Sequence, residues 1–346
     1  MDPSSKNRRL LLPAGVLFLF LFFVFVLYWL LGVPPSKTAS TKVIFLKKGT
    51  PLKKVSEILE QEGIIKNRHF FVFLTTILRE KTKIKAGEYE FHTQMLPFQV
   101  LDALVKGQVK RHLVTIPEGY TLSQIAQLLE DLNIMEGKEF LQEASSLPFI
   151  NALGFSQLAG PTLEGYLFPD SYHLVREMDP QEAIQMMVRQ FKKVFGPDLS
   201  QRASELGISE REAVILASII EKETPLPEEK PLISAVFHNR LRKKIPLQSD
   251  PTVIYGIKNF NGNLTRQDLA RPTPYNTYRI AGLPPTPICN PGKDSLLAAV
   301  NPAPVSYLYF VSRNDGSHYF SCDLEEHNRA VWKYQKYPTR NNLTKK

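Results

Sequence analysis

The sequence predicts an α+β fold in several parts: a single N-terminal transmembrane helix, small α/β modules and a larger mixed α/β domain. Three observations predict it. An apolar run fills residues 10–33, and a strand–turn–helix pattern occurs twice within 43–135. Beyond 136, amphipathic segments alternate with Pro- and Gly-rich loops and end in a hairpin signal. The boundaries follow: a tail at 1–9, the span at 10–33, a linker at 34–42, the modules at 43–135 and the larger domain at 136–340.

The span is predicted from length. Leu10 to Val33 is almost wholly Leu, Phe and Val, with Tyr28 and Trp29 near its far end, where an interfacial aromatic belt belongs. Lys6, Arg8 and Arg9 precede it and favour a cytoplasmic N-terminus, although Lys37 and Lys42 follow on the other side. An uncleaved anchor is favoured over a signal peptide, whose apolar core is only ~7–15 residues long and ends in a small-residue cleavage site. GVPPSKTASTK (32–42) then reads as an extended linker.

The modules are predicted from an internal echo. Gly49, Leu52, Val55, Ile58 and Leu59 line up with Gly119, Leu122, Ile125, Leu128 and Leu129. Each copy follows a short β-like run, Val43–Leu46 or Leu113–Ile116. Such modules serve as polymer binders or as spacers, and the pattern does not choose between them. Between them, residues 85–91 read as a strand and 97–106 as a helix stopped by Gly107.

In the larger domain, residues 137–160 begin helical and end in loops, and 163–172 read as an ordered loop or edge strand. Asp179-Pro180 opens a helix to about Phe195, and Ser209 with Glu212 makes a capping box for the next. A helix covers Glu229–Lys243, and 245–293 reads as a long irregular stretch, a feature more often functional than not. Residues 295–300 form a short helix, and Asn314-Asp315-Gly316 turns a hairpin between Tyr307–Val311 and His318–Ser321. A last helix runs from about Glu325 to Tyr334.

Composition narrows the function. The formal net charge is +9, yet no segment concentrates it with interleaved aromatic residues, so nucleic acid is not an expected partner. The charge suits anionic lipid or an acidic polymer instead. Cys289 and Cys322 are too few for a disulfide scaffold, and whether they pair stays open. No CxxC or HExxH spacing occurs and the seven histidines are scattered, so neither a metal nor a cofactor is expected.

The candidate catalytic residue is Glu221. It ends the apolar helical run Ala213–Ile220, where lost hydration makes a carboxyl group hold its proton more tightly, as a general acid for glycosidic-bond cleavage must. On a helical wheel, Arg211, Ser218 and Lys222 form a narrow polar stripe with Glu221 at its border, while Glu223 lies about 200° away. Small Ala217 and Ser218 beside Glu221 leave room for a sugar ring. Position alone also fits a surface glutamate at a helix end. Downstream, Gln248, Asp250, Tyr255, Asn276 and Tyr278 supply the amides, hydroxyls and rings that bind sugars. The same residue types also support turns.

Seven blocks carry a resemblance: LEGYLFPDSY (163–172), ILASIIEKET (215–224), VFHNRL (236–241), LQSDPTVIYG (247–256), NGNLTRQDL (261–269), PTPYNTYRIAGLPPTPI (272–288) and YLYFVSRNDGSHYFS (307–321). In this order they make the chain similar to the membrane-anchored endolytic murein transglycosylases, the MltG/YceG-like family. Ser171 and His238 depart mildly from the family's pattern. The resemblance implies that 43–135 holds LysM-like modules, that 136–340 is the catalytic domain, and that Glu221 is the catalytic acid/base. It implies cleavage of the MurNAc–GlcNAc β-1,4 bond of nascent peptidoglycan, with 1,6-anhydroMurNAc ends and limited strand length. Implied partners are glycan strands, the bilayer of the bacterial inner membrane and peptidoglycan synthases, with the catalytic domain on the outer, periplasmic side. Two rivals remain: a hydrolytic muramidase using Glu221 with Asp250 or Glu223, and a non-catalytic peptidoglycan-binding scaffold.

Overall fold

The computed structural model describes residues 17–336, except 18, 19, 23, 27, 37 and 156–161. The expected tail at 1–9 and the first part of the expected span lie outside them. The described residues between 17 and 32 are helical, and among the described residues no helix is long and apolar enough to cross a membrane. The rest separates into two compact units. One ends at His112 and includes Val175–Glu177; the other comprises Leu113–Leu174 and the chain from Met178 onward.

The first unit contains β1 (Thr41–Leu46), α1 (Leu52–Gln61), α2 (Arg68–Ile77), β2 (Gly87–His92) and α3 (Pro97–Lys106). β1 and β2 pair antiparallel, from Thr41 opposite His92 to Leu46 opposite Gly87. Alternate strand residues Ile44, Leu46, Tyr89 and Phe91 are buried, as a half-buried sheet requires. They meet Leu52, Val55 and Leu59 of α1, with Phe71, Val100 and Leu104 completing the core. Gly107 ends α3 in the left-handed conformation, as its position predicted. The sequence pattern did not reveal α2. Its RHFFVFLTTI run is apolar on more than one face, and Phe73 and Ile77 remain exposed.

The second unit opens with the same plan: β3 (His112–Thr115), α4 (Leu122–Asp131), α5 (Gly137–Ala144), α6 (Leu147–Ala152) and β4 (Ser171–Leu174), with β3 beside β4 in one sheet. Leu122, Ile125 and Leu129 of α4 are buried and Leu128 is packed at the core edge, matching Leu52, Val55, Leu59 and Ile58. The echo is therefore a strand–helix–helix–strand plan, extended in the second copy by a third helix, α6. The second helix of the first copy escaped the periodicity, whereas that of the second copy begins the segment expected to be helical from 137. The copies differ at the helix start. Thr121 caps α4 in a reciprocal box with Gln124, whereas Pro51 begins α1 without a side-chain cap.

The remaining elements are α7 (Pro180–Val194), α8 (Pro197–Glu205), α9 (Glu210–Glu223), α10 (Lys230–Arg242), α11 (Asp250–Tyr255), α12 (Arg266–Ala270), α13 (Lys293–Val300), the antiparallel hairpin β5 (Tyr309–Ser312) and β6 (His318–Ser321), and α14 (Leu324–Val331), which runs on into a π-helical segment (Trp332–Lys336). α9 starts at the predicted Ser209–Glu212 box. It is then buried on every side from Ala213 to Ile220, packing on α13, α10 and α8. The 245–293 stretch is less irregular than expected, since α11 and α12 interrupt it. Both are too short to leave a periodic signature. Cys289 is buried and Cys322 exposed, and both are free thiols.

The repeated burial pattern makes a stability prediction. Leu129→Ala removes a fully buried side chain and should cost about 2–5 kcal/mol. Exposed Lys53→Ala should stay within about 0.5 kcal/mol. Denaturant midpoints of the two variants test the contrast.

Candidate active site

Glu221 lies in the last turn of α9 with its side chain only 8% exposed. Three donors from two elements reach it. The Lys230 ammonium, at the first turn of α10 and itself 4% exposed, approaches Oε2 at 3.2 Å and Oε1 at 3.4 Å. The Gly292 amide donates to Oε2 at 3.0 Å, and the Ser295 hydroxyl to the same oxygen at 2.6 Å. Gly292 is the N-cap of α13, so its amide belongs to the donor-rich start of that helix. The sequence predicted apolar dehydration around Glu221. The structure instead spends the apolar faces of α9 on the core and gives the carboxylate a cradle of polar donors.

That cradle also corrects the expected sugar-sized space beside Ala217 and Ser218. Both are fully buried. The Ser218 hydroxyl donates to the Ile215 carbonyl and accepts from the Ile288 amide, so the 288–290 segment covers this face. The turn between β3 and α4 borders Glu221 on another side. There Gly119 has φ +76°, and a Cβ on it would stand 3.5 Å from Glu221 Cγ. The Gly119 amide donates to the Asn290 carbonyl and the Asn290 amide to the Tyr120 carbonyl, both at 2.9 Å. Lys222 reaches the Gly119 carbonyl at 3.4 Å. The second strand–helix–helix–strand copy therefore forms part of the site wall.

Asn290, fully buried, holds this wall to the LEGYLFPDSY block. Its Oδ1 accepts from the Gly165 and Leu167 amides, and its Nδ2 donates to the Tyr120 carbonyl and to Glu164 Oε1. Glu164 also accepts from the Leu122 amide and the Tyr255 hydroxyl. Burial pushes its carboxyl up to about 7 despite these donors. Glu223, on the far side of α9, accepts from the Ser249 hydroxyl and is likewise pushed up to about 7 by burial.

The VFHNRL block is a clamp. His238 Nε2 donates to the Ala299 carbonyl, Asn239 to the Val305 and Tyr307 carbonyls, and Arg240 to the Leu247 and Leu308 carbonyls. Just before α10, buried Glu229 accepts from both the amide and Nδ1 of His318. The β5–β6 hairpin thereby fixes the start of α10, and with it Lys230.

None of the five candidate sugar-binding residues hydrogen-bonds to Glu221. Gln248 and Asp250 are exposed; Gln248 accepts from Arg240, and Asp250 accepts from the Tyr278 hydroxyl at 2.7 Å. Tyr255 packs edge-on against Tyr275 with centroids 5.0 Å apart and donates to Glu164. Asn276 is fully buried, its amide donating to the Leu269 and Arg271 carbonyls and its Oδ1 accepting from the Tyr278 amide. Its side chain is committed to the 268–278 loop, not turned to an open surface. Sequence reasoning missed Glu118, Asn290, Gly292, Ser295 and Lys230. For Glu118 a signal existed: the echo aligns it with Lys48, a charge reversal just before the shared glycine of the turn.

Glu164 and Glu223 generate a pH prediction. Their folded-state proton affinities are raised from the ordinary 4.5 to about 7. Each therefore contributes stability that is fully present below about 4.5 and is lost as pH rises through about 7. Glu164→Gln and Glu223→Gln should each flatten the fall in unfolding free energy across that window, measured by denaturant titration at several pH values.

Comparison with known proteins adds the lineage. The family model for the YceG-like family matches residues 44–333. The chain is 31% identical over 317 residues to the endolytic murein transglycosylase of Bacillus subtilis, covering 87% of each protein. It is 30% identical over 315 residues to the endolytic murein transglycosylase of Streptococcus pneumoniae, covering 83% of this chain and 57% of the pneumococcal one. A crystal structure of a yceG-like protein from Listeria monocytogenes aligns with a TM-score of 0.59 and 30% identity, covering 85% of this chain and all of that one. The chain belongs to the YceG-like family.

Proposed function

We propose that this protein is an endolytic lytic transglycosylase that cuts the MurNAc–GlcNAc β-1,4 bond within peptidoglycan strands. The observation that carries the reading is the buried Glu221 carboxylate, fixed by donors from α10 and α13 and bordered by the β3–α4 turn. The names of the relatives from B. subtilis and S. pneumoniae support the substrate class.

In the proposed reaction Glu221 gives its proton to the glycosidic oxygen as the C1–O bond breaks and the bonding pair leaves with that oxygen. The resulting carboxylate takes the proton of the muramic C6 hydroxyl, whose oxygen bonds to C1. The product is a 1,6-anhydro end, and no water is consumed. One carboxylate thus serves as acid and then base, where a hydrolase uses a second to activate water or act as nucleophile. Asp250 and Glu223, the expected second carboxylates of a hydrolase, are hydrogen-bonded to Tyr278 and Ser249 and not to Glu221. Gln248 and Asp250, exposed on the 245–256 segment, are the candidate sites for sugar contacts outside the cradle.

The reading includes a location. The apolar run at 10–33 serves as an uncleaved anchor that holds the enzyme on the outer face of the bacterial inner membrane, beside the synthases that supply its strands. Exposed Phe73, Ile77 and Leu78, with exposed Arg68 and Arg79, give the first unit an apolar and basic surface suited to that setting. The two strand–helix–helix–strand copies are read as LysM-like modules, the first being the candidate glycan-binding one.

Mass analysis of digested glycan strands tests the chemistry. The wild type should yield anhydro ends, one water lighter than a hydrolase product. Glu221→Gln should lose about 10²–10⁴-fold in rate while keeping its unfolding midpoint. Hydrated ends, or full activity in the amide variant, overturn the reading. Deleting residues 1–33 should move the protein from the membrane to the soluble fraction on sedimentation.

A further inference from the structure

Lys230 poses a charge problem that the reaction makes acute. Its ammonium is 4% exposed, and a charge buried to that degree requires a counter-ion. In the structure that counter-ion is Glu221. A general acid, however, must carry a proton before it can give one. At that stage Glu221 is neutral, and Lys230 loses its partner at the moment the reaction begins.

A second carboxylate stands within reach. Glu118, on the turn between β3 and α4, lies 4.0 Å from Lys230 Nζ with its side chain 52% exposed. Among the described residues, Glu118 and Glu221 are the carboxylates that pair with Lys230. The approach of Glu118 depends on Gly292. A Cβ on Gly292 would collide with the Glu118 carboxylate, although its φ of −75° would admit any residue. The glycine therefore serves close packing and not backbone freedom. Its amide holds Glu221 while its bare Cα makes room for Glu118. Burial and the Glu221 charge both raise the proton affinity of Glu118, and Lys230 lowers it, which marks the three as one electrostatic group.

We propose that Glu118 is a positioning residue of this site: the alternate counter-ion of Lys230, which lets Glu221 carry its proton and later take one back. The proposal rests on Glu221 being the acid/base. Glu118 forms no bond to substrate and transfers no proton. When Glu221 is protonated, Lys230 pairs with Glu118; when Glu221 has given up its proton, Lys230 pairs with Glu221 again. Lys230 is 3.2 Å from one carboxylate and 4.0 Å from the other, so a small displacement of one flexible side chain suffices. The other charged or titratable groups around the cradle are Lys222 beside the Gly119 carbonyl, Asp294 on α13 acting on Glu118, and the buried Cys289 thiol, which feels Glu221, Lys222 and Glu164. None of these forms an ion pair with Lys230.

The test measures kcat, KM and the pH–rate profile of the full chain on uncross-linked glycan strands, with unfolding midpoints as the control for folding. Glu118→Gln should lower kcat by about tenfold or more and move the alkaline limb of the profile about one unit toward lower pH, with KM within about twofold. Glu118→Asp should recover part of the loss. Gly292→Ala should act in the same direction, because its Cβ evicts the carboxylate while leaving both charges present. In a Lys230→Met background, adding Glu118→Gln should change little, since the ammonium it balances is gone. Unchanged kcat and profile in Glu118→Gln overturn the proposal. So does a loss of kcat with an unmoved profile, or fully additive losses with Lys230→Met. If Lys230→Met does not fold, the profiles of Glu118→Gln and Gly292→Ala decide. Activity persisting in Glu221→Gln defeats the acid/base assignment itself, whereas loss there with an unaffected Glu118→Gln defeats only the role of Glu118.

Discussion

One buried ammonium organises this site. Lys230 is almost wholly removed from water, and a charge in that position is tolerated only where carboxylates and donors are arranged around it. Glu221 meets it from the end of α9, Glu118 from the β3–α4 turn, and the start of α13 fixes Glu221 from the other side. The rest of the second unit holds these pieces in register. The His318–Glu229 contact sets where α10 begins, and the His238, Asn239 and Arg240 contacts bind that helix to the 305–308 strand lead-in and to α13. Asn290 ties the turn carrying Glu118 to the loop carrying Glu164.

The two related strand–helix–helix–strand copies have diverged in a way that fits their surroundings. The buried positions of their first strands and first helices correspond, because each must cover a two-stranded sheet with an amphipathic helix. Their turns do not correspond. Lys48 in one becomes Glu118 in the other, and uncapped Pro51 becomes the capping Thr121. A spacer has no use for a carboxylate at that turn, whereas a wall beside a buried lysine does. The second copy is thus a structural part of the cradle, and its burial pattern alone gave no hint of that.

The loop between α10 and α13 illustrates a wider point about polar-rich segments. Its amides and hydroxyls look like ligand contacts, yet several are consumed in holding the loop. Asn276 bonds three ways to its neighbours, and Thr277 bonds to Ser249 and Thr252. A buried backbone without regular structure needs such partners for its own N–H and C=O groups. Gln248 and Asp250 stay at the surface, Gln248 with a left-handed backbone at φ +54°.

What the sequence by itself determined is local and periodic. The capping box at Ser209–Glu212, the stop at Gly107, the hairpin at Asn314–Gly316 and the repeated buried face of α1 and α4 all depend on residues within a few positions of one another. Glu221 stands out in the sequence for a related reason, since a carboxylate at the end of so apolar a run is conspicuous. What surrounds that carboxylate was not legible. Lys230 is nine residues away, Gly292 and Ser295 more than seventy, and Glu118 more than a hundred. The short helices α11 and α12, and the α2 helix with its apolar residues on several faces, left no clean period to read. Only the tertiary structure decided that the space expected beside Ala217 and Ser218 is filled and that the cradle is polar, because contacts between distant segments arise from packing and carry no spacing along the chain.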